Sequence, residues 1–131
     1  MASGRSGHTA TLLQEGRILI VGGDQDYRTF NELYDPQSGA FSPAGSTTAF
    51  REDHTATLLS DGRVLVAGGG VWDSRATAEI YDPNIGTCKP TGSMEAGRRG
   101  QSATLLADGR VLIAGGVADT GSLDSAELYE P

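Results

Sequence analysis

The chain has almost no lysine: Lys89 is its one copy, the other cations are arginines, and 17 Asp and Glu against 10 Lys and Arg leave a net charge of −7. Affinity for a phosphate backbone comes mainly from Lys and Arg neutralising phosphates, so no nucleic-acid partner is expected. Cysteine is as scarce, with Cys88 alone, which excludes an intrachain disulfide and a Cys-based zinc site. Long apolar runs are missing too. Stretches such as Val64–Ala67 fall far below the ~20 residues of a membrane span, so no membrane partner is expected either. No charged start followed by an apolar run opens the sequence, so no secretory leader is legible and the compartment stays open.

What the chain does have is glycine, 19 among 131 residues, with 37% hydrophobic and 21% charged residues. That composition suits one folded domain rather than a disordered chain. So much glycine implies frequent turns and many positive φ angles, and hence short strands joined by tight connections.

The turns recur with a period. His8-Thr9-Ala10-Thr11-Leu12-Leu13 returns as His54-Thr55-Ala56-Thr57-Leu58-Leu59, and again as Gln101-Ser102-Ala103-Thr104-Leu105-Leu106, at offsets of 46 and 47 residues. Each copy is followed by a turn, Glu15-Gly16, Asp61-Gly62 or Asp108-Gly109. An apolar run then ends in a glycine pair, Gly22-Gly23, Gly68-Gly69 or Gly115-Gly116. About ten residues on come Glu32-Leu33-Tyr34-Asp35-Pro36, Glu79-Ile80-Tyr81-Asp82-Pro83 and Glu127-Leu128-Tyr129-Glu130-Pro131.

Thr-Ala-Thr-Leu-Leu is short, β-branched and apolar, and reads as a strand. Asp-Gly between two such runs is a hairpin signal. The runs 17–21, 63–67 and 110–114 are nearly continuous in apolar residues, as strands covered on both faces are. The paired glycines mark places of close backbone approach. Tyr34, Tyr81 and Tyr129 are expected to pack between neighbouring sheets, and the proline after each stops the ladder. Residues 40–43 and 87–90 supply a fourth strand in the first two copies. The chain is therefore expected to be all-β, with four short antiparallel strands per repeat and the third repeat lacking its outer strand. The repeats span residues 1–47, 48–94 and 95–131 of one domain. A single sheet of this kind cannot bury its own faces, whereas stacked neighbours can.

These motifs resemble the kelch family, and most of all its bacterial type with Asp-Gly-Arg turns and Ala-Gly-Gly strand ends. The resemblance covers the whole chain and implies three blades of a kelch-type β-propeller. One departure is the fourth strand, where kelch repeats usually carry Trp and this chain has Phe41 or Cys88. Kelch propellers close with about six or seven blades and propellers in general with four to eight, so three are half of a six-bladed ring or a fragment of a longer one. The end faces are expected to be covered by a second copy, head to tail as a homodimer, or by the remaining blades of a longer chain.

Two sets of residues are candidates for binding. Arg5, Arg51 and Arg98 each precede His8, His54 or Gln101 by three residues, at equivalent points in the loop leading into the first strand. Arginine forks take carboxylates bidentately, and in animal kelch adaptors similarly placed arginines receive acidic peptides, so the resemblance implies an acidic peptide partner. The alternative is an internal pair with Glu32, Glu79 or Glu127. The second set lies in the connections 24–31, 70–78 and 117–125, which vary while the framework repeats. There Tyr27, Arg28, Trp72 and Arg75 have the composition of a binding hot spot, unless Trp72 folds back over its own sheet edge.

Other constellations are weaker. His8 and His54 have no third ligand, Gln101 taking that place, and Asp24, Asp26, Asp73, Asp119 and Asp124 lack a calcium-loop spacing. Cys88 reads as a small buried hydrophobe. The repeat accounts for nearly every residue, so no catalytic set, metal or cofactor is expected. The expected function is a non-catalytic binding or scaffold module that recognises a protein or peptide. The alternatives are a fragment of a kelch-propeller enzyme, oxidase or sugar-processing, and a purely structural self-assembling piece.

Overall fold

The computed structural model describes residues 1–131, and every regular element in it is a strand. The first repeat forms one antiparallel sheet in the order β1 (Thr9–Leu12), β2 (Ile18–Val21), β3 (Phe30–Asp35) and β4 (Ala40–Ser46). The second forms the same sheet from β5 (Thr55–Leu58), β6 (Val64–Ala67), β7 (Ala78–Asp82) and β8 (Thr87–Thr91). In both, the outer strand runs past the residues expected for it, 40–43 and 87–90, to Ser46 and Thr91. Pro43 and Pro90 lie inside β4 and β8 opposite Glu32 and Glu79. They are tolerated because these are edge strands, where an imide nitrogen faces no partner.

The third sheet has three strands, β9 (Ser102–Leu105), β10 (Val111–Ala114) and β13 (Ala126–Tyr129), with β10 in the middle. Its connection holds a small ribbon of β11 (Val117–Ala118) and β12 (Gly121–Ser122). The repeat gives no hint of this ribbon, because the other two copies of the connection form no strands.

The sheets stack in chain order. Leu19, Val21 and Leu33 of the first sheet meet Val64, Val66 and Tyr81 of the second. The opposite face of the second sheet, with Leu65, Ala67 and Ile80, meets Val111 and Ile113 of the third. Alternation along each strand makes this possible, since neighbouring residues point to opposite faces. It also explains why β6 is buried at all four positions, whereas β10 is buried only at alternate ones. Each wholly buried Val or Leu contributes roughly 1.5–3 kcal/mol. Of the three repeated tyrosines, Tyr81 is sealed between the first two sheets, and Tyr129 packs on the second sheet and hydrogen-bonds Thr91 at 2.8 Å. Tyr34 lies on the outer face of the first sheet against Phe41, 5.0 Å between ring centres.

Backbone bonds stitch the junctions at the inner strands. The Gly23 N–H donates to the Arg51 carbonyl at 2.8 Å, and the Gly69 N–H to that of Arg98 at 2.9 Å. The Asp53 N–H donates to Gly7 O at 2.9 Å, and the Gly100 N–H to Asp53 O at 2.7 Å. The glycines are required here. Gly22 has φ +72°, and a Cβ on it would stand 2.2 Å from the Arg51 carbonyl oxygen.

His54 sits in the first junction, its Nε2 2.9 Å from Thr9 Oγ1. Burial, Arg51 and His8 together lower its pKa to about 3. The unfolded chain takes up this proton below about pH 6.5, while the folded chain refuses it until about pH 3. Stability is therefore expected to fall as pH drops below 6.5, by at most about 1.4 kcal/mol per pH unit. His54→Gln, which imitates Gln101 at the equivalent place, should flatten that slope between pH 6.5 and 4.5 in urea denaturation series. A slope unchanged in the variant would refute the assignment to His54. Asp24, held at about 2, weakens the fold in the same direction but only in stronger acid.

Candidate functional site

The three repeated arginines are spent inside the chain. Arg51 Nε donates to Glu79 at 2.9 Å, its Nη1 to the carbonyls of Gly68 and Thr77 at 2.7 and 3.0 Å, and its Nη2 to Thr77 Oγ1 at 3.0 Å. Arg5 grips Glu32 through Nε and Nη2 at 3.1 and 2.9 Å and takes the Gly22 and Phe30 carbonyls. Arg98 pairs with Glu127 at 2.7 Å and takes the Gly115 and Ser125 carbonyls. All three guanidiniums are fully enclosed. The other function of each glutamate is equally regular. Glu32, Glu79 and Glu127 accept the amides of Ala2, Thr48 and Glu95 at 2.8, 2.7 and 2.6 Å. Burial raises the Glu127 carboxyl, but the Glu95 amide, Arg98 and the Ala96 amide outweigh it and hold the pKa below the usual value.

The expectation that Arg5, Arg51 and Arg98 offer their forks to a partner's carboxylate is thus replaced by the internal pair. Each clamp ties the end of the second strand of its sheet to the start of the third, and no donor is turned outward.

The variable connections behave differently. Asp24 is buried and organises the first of them. It accepts the Asp26 amide at 2.9 Å and Arg28 Nε at 3.2 Å, and the Ser3 hydroxyl as well. Burial pushes this carboxyl up, yet those bonds prevail and hold it at about 2. The turn they enforce puts Tyr27 at φ +58°, a left-handed conformation that costs a bulky residue about 1–2 kcal/mol. Strain of that size persists where the surroundings over-determine it, and it clusters at functional sites.

The strained turn brings Tyr27 across to the second repeat. Its ring lies 5.1 Å from Trp72 in a tilted stack and 5.3 Å from Phe50 edge-on. Trp72 is 80% exposed and Tyr27 51%, so the cluster presents its surface to water. Trp72 does not lie over its own sheet edge; its aromatic neighbour is Tyr27 of the adjacent repeat. Phe50 is the member that sequence reasoning missed. The signal was available, since Phe50 stands where the other repeats have Gly4 and Gly97.

The third repeat braces this surface. Ser74 donates its amide to Asp119 at 2.8 Å and its hydroxyl to the Val117 carbonyl at 3.0 Å, so the β11–β12 ribbon holds the connection that carries Trp72. Arg28 folds back, pairing with Asp24 and Asp26 and lying over the Phe30 ring at 5.3 Å. Arg75 is less committed: its contact with Asp73 is 3.8 Å long and its side chain stays 31% exposed. A polar cleft of about 350 Å³ adjoins Tyr27, lined among others by Gly4, Ser6, Gln25 and Glu52.

At the opposite end of the sheets, Asp61–Arg63 and Asp108–Arg110 pair within their own hairpins at 2.8 Å. Cys88 packs against the first junction beside Asn31, and burial pushes its thiol up to about 11, so it stays protonated and unreactive at neutral pH.

Fold and site together define an all-β protein of stacked antiparallel sheets that displays an aromatic surface on its connections. No family model matches the chain, and no curated protein matches it.

Proposed function

We propose that the chain is a set of kelch-type propeller blades serving as a non-catalytic binding module for a protein or peptide. The Tyr27–Phe50–Trp72 cluster carries this reading. Three aromatic rings from two repeats meet in a solvent-facing group on a framework of buried strands. Trp, Tyr and Arg dominate the energetics of interfaces, and loops on rigid scaffolds are where such residues are placed. Arg75, on the same connection as Trp72, supplies the cation with capacity to spare. An extended segment with an apolar side chain for the rings and a carboxylate for Arg75 is the ligand this surface suits. The propeller reading draws support from the stacking of equivalent sheets in chain order and from the row of inner strands β1, β5 and β9.

The test is selection from a displayed peptide library, followed by titration of the enriched peptides. Enriched sequences are expected to combine an aromatic or aliphatic residue with Asp or Glu. Trp72→Ala should weaken their binding tenfold or more, about 1.4 kcal/mol or above. Lys89→Ala, on β8 of the second sheet, should leave it unchanged. Enrichment of nothing, or full affinity in Trp72→Ala, would reject the proposal.

A further inference from the structure

The two ends of the stack carry the two halves of one junction. At the first internal junction the Arg51 carbonyl receives the Gly23 N–H, and at the second the Arg98 carbonyl receives the Gly69 N–H. The next donor in this series is the Gly116 N–H, which has no acceptor in the chain, and the first carbonyl of the series is that of Arg5, which receives no such donor. The second stitch repeats the pattern. Asp53 N–H to Gly7 O and Gly100 N–H to Asp53 O leave the Gly7 N–H and the Gly100 carbonyl over.

Steric room follows the same series. A Cβ on Gly22 or Gly68 would stand 2.2 or 2.5 Å from the next arginine carbonyl, whereas one on Gly115 meets nothing closer than the Leu123 oxygen at 3.8 Å. The apolar faces agree. Leu128 on the free face of the third sheet is 47% exposed, while its counterpart Ile80 is 8% exposed beneath a neighbour. Leu12 on the free face of the first sheet is 63% exposed, and its counterpart Leu58 packs in the first junction. His8 is the counterpart of His54, and the counterpart of its partner Thr9 is Ser102 on the third sheet.

We infer that a second copy of this chain docks head to tail, the first sheet of one copy stacking on the third sheet of the other. The contact is made by the Gly116 N–H on the Arg5 carbonyl, the Gly7 N–H on the Gly100 carbonyl and His8 on Ser102, over the apolar faces around Leu128, Leu112, Leu12 and Tyr34. A second copy is the occupant because each chain holds both complementary halves, built from the residues that already make two such junctions within it. Two copies place six repeats in series, within the range at which propellers close, so the heterologous contact forms twice and ends in a ring. The stoichiometry, and nothing else in this inference, rests on the propeller reading.

The experiment is light scattering behind size-exclusion chromatography, over a concentration series of the full chain. The expected mass is twice 13.6 kDa. Gly115→Ala should shift it to 13.6 kDa with an unchanged far-UV spectrum, because the added methyl meets the Arg5 carbonyl of the other copy. Gly86→Ala carries the same backbone cost, φ +67° against +66°, with nothing within 4 Å, and should stay dimeric. Leu128→Arg is the second interface variant, at a half-exposed site that accepts charge in the single chain. A wild-type monomer at tens of micromolar overturns the inference. A dimer untouched by Gly115→Ala and Leu128→Arg overturns this interface. A mass that climbs beyond two copies, and that both variants abolish, upholds the contact and overturns the closed six-repeat ring.

Discussion

Arg51→Ala is expected to bring the fold close to unfolding. It leaves the Glu79 carboxylate buried in the second sheet with its cation gone and the Gly68 carbonyl without its donor, while the Thr77 carbonyl keeps only the Gly68 N–H. Breaking one side of a buried pair costs about 3–5 kcal/mol, against a total stability of roughly 5–15 kcal/mol for a domain. The three clamps should not respond alike. Arg51 and Glu79 are both enclosed, whereas the Glu127 side chain is 19% exposed and can be reached by water once Arg98 is removed. The expected order of loss is therefore Arg51→Ala first, Arg5→Ala next and Arg98→Ala least, measured as midpoints of urea unfolding followed by far-UV circular dichroism. Replacing both members, as Arg51→Met with Glu79→Leu, should recover part of the loss, because no uncompensated charge remains. Equal losses at the three arginines would show that exposure of the glutamate does not set the cost.

Gly22→Ala is the other large effect. Two penalties combine at this residue. Its φ of +72° is unfavourable for any Cβ, and that Cβ would be driven to 2.2 Å from the Arg51 carbonyl oxygen and 2.6 Å from the His54 ring. A backbone carbonyl inside a hydrogen-bonded junction has nowhere to move, so the two sheets must separate. Left-handed strain of about 1–2 kcal/mol and overpacking of about 1–3 kcal/mol give a loss of roughly 2–5 kcal/mol. Gly39→Ala has nearly the same φ, +71°, and open space around it, so it should lose only the first part. The comparison of these two glycines by urea unfolding separates backbone strain from contact. If they prove equal, the junction is softer than its geometry implies.

The strands were legible because the repeat shows each element three times, so that Thr-Ala-Thr-Leu, the Asp-Gly turn and the glycine pair reinforce one another. The all-β architecture and one main sheet per repeat follow from that. The outer strands were legible in place but not in length, since nothing in the repeat marks how far an edge strand continues past its proline. Within the site, Tyr27 and Trp72 stood out as aromatics in variable connections. Their contact did not, because 44 residues of chain lie between them and only the stacking of one sheet on the next brings the two connections side by side. Phe50 escaped for a related reason: it sits in framework rather than in a variable segment. The fate of the arginines turned on three-dimensional placement. Sequence placed a carboxylate within reach in every repeat, yet burial of both partners decides between an internal clamp and an open fork.

Strand order within each sheet has a kinetic consequence. Strands pair with their neighbours in the chain, interrupted only by the ribbon between β10 and β13, and sheets stack in the order in which they occur. Ring closure within a sheet therefore joins residues only a few tens of positions apart at most, which keeps the loop entropy of each step small. An all-β chain is ordinarily a slow folder because its pairings are remote. Here assembly resembles a row of neighbours zipping one upon another, able to start at either internal junction and to propagate outward.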